Sequence, residues 1–348
     1  LKDGEPVSYD YLLVATGATH SYFGRDEWSQ YAMGLKRVED ALEIRRRVLT
    51  AYEAAERETD PNKVQEWLTF LIIGGGPTGV ELAGALAEIA HVVADDFRRI
   101  DSKQARIVLL EGLPEILQAY PKSLAERARK ALGKLGVEVR TGTRVTAVDE
   151  HGVSVGHERI GSRTMVWAAG VAASPLAKTL NVPLDRAGRV KVTPNLTVPG
   201  HDNVFVVGDL AALEQDGALV PGVAPAAMQE GKHVAKNIRL ALKGQPMKPF
   251  RYWDRGTFAV IGRGAAVGIM FRKFWLWGHL AWLSWLAIHI VFLIGFRNRV
   301  AVLFNWAYSY LTFRRGARLI TGEAPADRSE PRRTSLPRPT APAEARVH

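Results

Sequence analysis

Apolar residues change their spacing along this chain, and each change marks an element. The apolar run Leu68–Ile73 has the length and branching of a buried parallel strand, and it stops at Gly74. Before it, Val38, Leu42, Ile44, Val48, Leu49 and Tyr52 share one face of a charged segment. That pattern predicts a helix over 38–59, a connector into the next domain, closed by Pro61 and Asn62. After the run, a helical pattern covers 80–94, Ile107–Leu110 predicts a second strand, and 123–135 predicts a helix stopped by Gly136. Val137–Arg140, Val145–Val148 and Val153–Val155 read as further strands. Tyr9–Gly17, Thr164–Gly170 and Asn203–Asp209 each read as a strand that finishes in small residues, and a helix opens at Ala224 and continues to Leu242.

The last part of the chain follows a different pattern. Phe274–Ile294 is 21 residues without a charge when histidine is neutral, long enough to cross the roughly 30 Å of a bilayer core. Within 300–313, Asn305, Ser309 and Thr312 form one helical stripe opposite Leu303, Trp306, Tyr310 and Phe313, which predicts an amphipathic helix lying in the interface. Tryptophans at 275, 277, 282, 285 and 306 and flanking arginines suit the headgroup level, so docking on the surface is favoured over a span. His279 and His289 read as interfacial packing residues. Beyond Gly322 proline and arginine dominate, and 323–348 is expected to be disordered.

Composition narrows the chemistry. A chain of 348 residues with 47% hydrophobic content can build two domains and an appendage. It has no cysteine, which removes disulfides, thiolate metal sites, iron–sulfur clusters and catalytic thiols, so redox chemistry here needs an organic cofactor and no metal is expected. The net charge of +10 looks like a nucleic-acid signal until it is mapped: between Arg255 and Gly322 there are nine Lys or Arg and no Asp or Glu. A basic, tryptophan-rich, apolar stretch describes a lipid bilayer surface and not a phosphate backbone.

The candidate chemistry sits where strands end. Gly74, Gly76 and Gly79 have the spacing G-x-G-x-x-G between a strand and a helix, a dinucleotide fingerprint. One glycine permits the turn, the second lets the backbone approach a pyrophosphate at the helix N-terminus, and the third lets helix and strand pack closely. Glu111 ends the next strand, where a carboxylate accepts hydrogen bonds from ribose hydroxyls and favours NAD over NADP. It lies 32 residues beyond Gly79 against the usual spacing of about 20, an excess that the polar insert 95–104 absorbs. Plain alternatives stand beside these readings: a glycine turn that binds nothing, a strand-end glutamate, a helix cap at Asp209 and an exposed glutamine at Gln229.

Taken together these segments resemble the type II NADH dehydrogenases, single-subunit NADH:quinone oxidoreductases with two Rossmann-like domains and bound FAD. The resemblance rests on the Ala-Thr-Gly turn at 15–17, the segment 74–84, Trp-Ala-Ala-Gly at 167–170, Val-Gly-Asp at 207–209, the segment 221–229, and 295–299 through 318–322. It implies an α/β fold with two Rossmann-like dinucleotide-binding domains, the FAD domain incomplete at its N-terminus because its first fingerprint falls upstream of Leu1, plus C-terminal amphipathic membrane-docking helices. The expected domains are 1–34 and 184–265 for the FAD domain, 35–67 for a connecting helix, 68–183 for NADH, 266–322 for the membrane-associated helices and 323–348 for a tail.

Residue by residue, the resemblance implies that Asp209 hydrogen-bonds the flavin dinucleotide, with Gly17 and Gly208 allowing close approach, and that Thr16, Gly170 and Ala227 are also cofactor-binding. Glu81 lies near nicotinamide and flavin and assists proton movement. Gln229 is one of two quinone-side glutamines, the other falling on Pro225, and Arg255 stands where many relatives have a lysine near the flavin. The expected function is non-proton-pumping hydride transfer from NADH to FAD and two-electron transfer to a membrane quinone, by an enzyme peripheral or monotopic on the cytoplasmic side of the inner membrane. The resemblance leaves room for a homodimer. The alternatives are a non-catalytic, membrane-attached NADH-binding sensor, or another flavoprotein reductase with a different acceptor.

Overall fold

The computed structural model describes residues 4–293, 295–312 and 320. Strands Leu12–Val14 (β1) and Ala18–His20 (β2) come first, followed by Ala32–Gly34 (β3) and helices Val38–Arg57 (α1) and Pro61–Trp67 (α2). Pro61 opens a helix and does not close one: it stands at the first helical position, where no N–H is missed, and Asp60 caps that helix by accepting the Asn62 N–H at 2.9 Å. The buried face of α1 is Ile44, Val48, Ala51, Tyr52 and Ala55, whereas Val38 and Leu42 are 72% and 51% exposed. Both lie around its first turns, where Asp40 turns back to accept the Lys36 and Arg37 N–H groups at 2.9 and 2.8 Å.

The chain continues through Thr69–Ile73 (β4), Pro77–Val92 (α3), Arg106–Leu110 (β5), Lys122–Lys134 (α4) and Glu138–Arg140 (β6). An antiparallel trio follows, Val145–Asp149 (β7), Gly152–Val155 (β8) and Glu158–Gly161 (β9), the last of which the hydrophobic pattern does not announce, and then Thr164–Trp167 (β10). Five of these strands form a parallel sheet in the order β3-β10-β4-β5-β6, with Ile73 opposite both Leu110 and Trp167, so the strands share one carboxyl edge. The expected boundaries at 34 and 67 therefore cut this unit: β3 is its edge strand, and the buried face of α1 belongs to the same core as β4 and α3. The insert is fastened by Glu56, which accepts the N–H groups of Arg98, Arg99 and Ile100, and by the Ser102 hydroxyl, which donates to Ala90 at 2.6 Å.

The second unit resumes with Val171–Ala173 (β11), antiparallel to β2, then Val190–Lys191 (β12), Thr197–Val198 (β13), His201–Val206 (β14) and the short strands Ala211–Ala212 (β15), Glu214–Gln215 (β16) and Ala218–Leu219 (β17). Here β1 lies parallel to β14, with Val14 opposite Val206, so the five-stranded unit is inserted in the chain between two neighbours of another sheet. Helix Ala224–Ala241 (α5) covers it.

Strands Gly256–Gly262 (β18), Ala265–Met270 (β19) and Phe274–Trp277 (β20) form an antiparallel sheet, followed by Gly278–Phe292 (α6) and Phe296–Thr312 (α7). The uncharged run is thus split. It begins as a strand paired with β19 and turns helical at Gly278, whose φ of +64° suits glycine. Helix α6 has 15 residues, about 22 Å at roughly 1.5 Å per residue, and among the described residues no helix is long and apolar enough to cross a membrane. On α7, Trp306 stacks on Trp285 of α6 at 5.6 Å while Leu303 and Phe304 stay exposed. Phe313, the 323–348 tail and the side chains of Ser309, Tyr310 and Thr312 lie outside the described residues.

Candidate functional site

The first cluster forms at the end of β4. Gly74 has φ +114°, and a Cβ there would stand 2.6 Å from the Ala168 carbonyl; one at Gly79 would stand 1.8 Å from the Gly74 oxygen. Both positions exclude a side chain, one for the turn and one for the approach of α3 to the strand. Gly76 caps α3 and faces open space, with nothing within 4 Å of a would-be Cβ. That is room for a phosphate in front of unpaired helix N–H groups. Glu111 comes alongside from β5, its two oxygens accepting the Gly75 N–H at 2.6 Å and the Leu113 N–H at 2.8 Å. Each oxygen keeps a further lone pair for a ribose hydroxyl. Gly75, which the fingerprint does not count, makes this contact sterically feasible: a Cβ there would meet Ile116 at 2.8 Å and Glu111 at 3.0 Å.

A second cluster forms where β1 and β14 end side by side. Gly17 and Gly208 have φ of +66° and +71°; a Cβ at Gly17 would meet nothing within 4 Å, and one at Gly208 only the Ala227 methyl at 3.4 Å. Thr16 is exposed beside them. Asp209 lies in a short 3-10 turn, Gly208–Leu210, and α5 starts only at Ala224, so Asp209 is not that helix's cap. Its carboxylate accepts a hydrogen bond from Lys36 Nζ at 2.7 Å, across from the other sheet. Buried Glu230 accepts the Gly208 N–H at 2.5 Å. Burial, and then the charge of Asp209, hold the Glu230 carboxyl above the usual range against that hydrogen bond. Lys36 and Glu230 carry no local signal in the sequence; only the sheet order brings them here. Gly170 packs elsewhere, under Phe23, where a Cβ would stand 2.8 Å from the ring.

The third cluster surrounds a cavity of about 780 Å³ between α5, the β18–β19 hairpin and α6. Pro225, Met228 and Gln229 line it from α5, Phe258 and Met270 from the hairpin, and Ile288, His289 and Phe292 from α6. The Gln229 amide is committed to the backbone of Trp253, donating to its carbonyl at 3.0 Å and accepting its N–H at 3.1 Å. This is more than an exposed glutamine. Arg255 lies between the Trp253 and Phe292 rings, its guanidinium carbon 4.8 and 5.2 Å from their centres, and its buried Nε has no hydrogen-bond partner.

Glu81 joins the first cluster to the third. It projects from α3 onto β18, accepts the Val260 N–H at 3.1 Å and lines a smaller cavity of about 220 Å³ with Arg263, Trp282 and Trp285. Burial raises its carboxyl above the usual range, opposed by that N–H. Nearby, the Tyr120 and Thr257 hydroxyls are 3.0 Å apart, and burial, with a contribution from the Glu81 charge, pushes the phenol up to about 12. Close approach of α3 to β18 depends on Gly84, where a Cβ would stand 1.6 Å from the Ile261 oxygen.

The family model described as pyridine nucleotide-disulphide oxidoreductase matches residues 1–231. Two type II NADH:quinone oxidoreductases of Mycobacterium tuberculosis, Ndh and NdhA, are 45% and 44% identical over 90% of this chain and 70% and 69% of their own lengths. That of Staphylococcus haemolyticus is 33% identical over 76% of this chain and 66% of its own. The fold matches NDH2 from Plasmodium falciparum, solved with NADH, with a TM-score of 0.80 at 18% identity, covering 91% of this chain and 80% of that one. On the extent of these matches, the chain belongs to the pyridine nucleotide-disulphide oxidoreductase family and, within it, to the type II NADH:quinone oxidoreductases.

Proposed function

We propose that the chain carries the NADH-binding and electron-acceptor parts of an FAD-dependent, non-proton-pumping NADH:quinone oxidoreductase that works against a membrane surface. One observation carries this reading: the first turns of α5 are shared by two sites. Ala227 and Glu230 back Gly208 on one side, while Pro225, Met228 and Gln229 line the apolar cavity on the other. A cofactor over Gly208 and a ligand in the cavity are then about one helix apart, near enough for electrons and separated by apolar packing.

The residues fit the cofactors. The open space at Gly76 in front of α3 suits a pyrophosphate, and Glu111, held by two backbone N–H groups, is set to take the ribose hydroxyls of NADH. The two left-handed glycines at 17 and 208, with nothing crowding Gly17 and Asp209 alongside, suit the flavin dinucleotide. When bound, FAD supplies the chemistry, taking hydride from NADH and releasing two electrons to the quinone. The chain's own share is positioning and proton storage: Glu81, raised by burial and bonded through Oε1, keeps Oε2 to hold a proton. The apolar walls exclude water from the acceptor.

In this reading β3 to β10 with α1 bind NADH, the β1–β14 sheet with α5 holds the flavin, and β18 to α7 face quinone and lipid. Phe274, Trp275, Leu280, Val291, Phe296 and Phe304 are all exposed on that last unit, an apolar surface suited to peripheral or monotopic attachment. The test is an anaerobic NADH titration of the intact gene product, followed in the visible flavin spectrum before and after a short-chain quinone is added. Bleaching by NADH and recovery with quinone is the expected result. A protein without a flavin spectrum, or one that bleaches and ignores quinone, would overturn the reading.

A further inference from the structure

Asp209 stands just beyond β14, yet the cation on it comes from the other sheet. Lys36 follows β3, the edge strand of the five-stranded unit, and its Nζ donates to Asp209 Oδ2 at 2.7 Å, with the two side chains 34% and 22% exposed. The lysine is fixed on its own side. Its backbone N–H donates to Asp40 at 2.9 Å, and Asp40 also takes the Arg37 N–H and faces His20 Nε2 at 3.3 Å. The His20 ring packs on Gly34 so closely that a Cβ there would stand 2.2 Å away. The ammonium is therefore carried to Asp209 by a loop fastened at the start of α1, whose buried face belongs to the same core as β4. Charge around Gly208 gives the cation its purpose. Asp209 lies on one side of that glycine, and buried Glu230 accepts its N–H. A pyrophosphate laid over the open glycines at 17 and 208 would add its own negative charge beside a carboxylate, a repulsion that partial exclusion of water strengthens. A lysine ammonium has more N–H donors than the one used on Asp209, and no acceptor.

We propose that Lys36 is a flavin-binding residue contributed by the NADH-binding unit: held on Asp209, its ammonium offers its remaining N–H donors to the pyrophosphate of the flavin dinucleotide and balances its charge. The inference rests on the flavin reading of Gly17, Gly208 and Asp209. It gives the cofactor a second task. With the lysine on one unit and the glycines on the other, FAD bridges the two, and an arrangement of the units that favours FAD is favoured by FAD in return. Loss of flavin then loosens the tie between the NADH-binding unit and the β1–β14 sheet.

The experiment compares the intact gene product with Lys36→Met and Lys36→Arg. Diluting the flavin-loaded proteins and following the fluorescence of released FAD gives the dissociation constant. It should rise on the order of 10- to 100-fold in Lys36→Met, the range for a hydrogen bond to a charged group, and Lys36→Arg, which keeps the charge, should recover most of that loss. Added NaCl should weaken FAD binding more in the wild type than in Lys36→Met. In urea denaturation, the substitution to Met should lower the midpoint further in the flavin-loaded protein than in protein with its flavin removed, because the stabilisation lost is that of the bound cofactor. Unchanged FAD affinity in Lys36→Met would overturn the inference, as would a Lys36→Arg protein as weak as Lys36→Met. Equal falls in the loaded and flavin-free midpoints would also overturn it, leaving Lys36 as a tie between the units and nothing more. A wild-type protein that holds no FAD would overturn the flavin reading itself, before any substitution is compared.

Discussion

The β4–α3–β5 unit and the β20–α7 stretch dispose of their apolar residues in opposite ways. All five residues of β4 are buried, and α3 packs so tightly that neither Gly79, against the Gly74 turn, nor Gly84, against Ile261 of β18, has room for a methyl group. In α6 only Ala281 is buried, and large side chains such as Phe296, at 81% exposure, face outward on α7. One region uses its apolar residues for folding; the other keeps them for a surface outside the protein. The lesson is that apolar content alone says nothing about where a segment's free energy is spent.

Substitutions can break or sharpen this contrast. Gly84→Ala drives a Cβ into the Ile261 carbonyl, and should lower unfolding free energy by about 3 kcal/mol in urea denaturation, the upper range for overpacking. Phe296→Glu should leave the urea midpoint nearly unchanged, within about 0.5 kcal/mol, yet cut co-sedimentation with anionic phospholipid vesicles by roughly tenfold or more. A fall in stability comparable to that of Gly84→Ala would erase the distinction between the two regions. Tyr52→Phe, in the tight region, removes a buried hydroxyl with no hydrogen-bond partner and should raise stability by about 1 kcal/mol in the same assay.

The smallest effect is set by pH. Hydrogen bonds from Arg46, and then Arg47, hold the Glu43 carboxyl down at about 2. A carboxyl lowered on folding adds stability that is complete above its unfolded value, near 4.5, and is lost as pH falls toward 2. Glu43→Gln should flatten the acid limb of stability across that interval, measured as urea midpoints against pH; an unchanged limb would show that this partly exposed pair contributes nothing.

What was legible in the sequence follows the same division. The strand, turn and helix around Gly74, Gly76 and Gly79 could be read because they belong to consecutive backbone. Pairings made by the fold were invisible: Lys36 with Asp209, Tyr120 with Thr257 and Gln229 with Trp253 are distant in the chain. Hydropathy also could not see that Gly278 divides Phe274–Phe292 into strand and helix, because an exposed strand and a surface helix can be equally apolar. The first turns of α1 misled for a related reason: Val38 and Leu42 fit the helical period but precede the residues that meet the sheet.

Nine of the chain's ten net positive charges fall between Arg255 and Arg318, where no carboxylate occurs. Along the chain, a body of zero formal net charge over residues 1–254 is therefore followed by one basic stretch. Near an anionic surface such a body experiences a torque at distances of about a Debye length, roughly 10 Å at 0.1 M salt. It turns before it touches. Ionic strength should then act on the fraction of collisions that arrive correctly oriented, a property of the landing rate more than of the grip that follows.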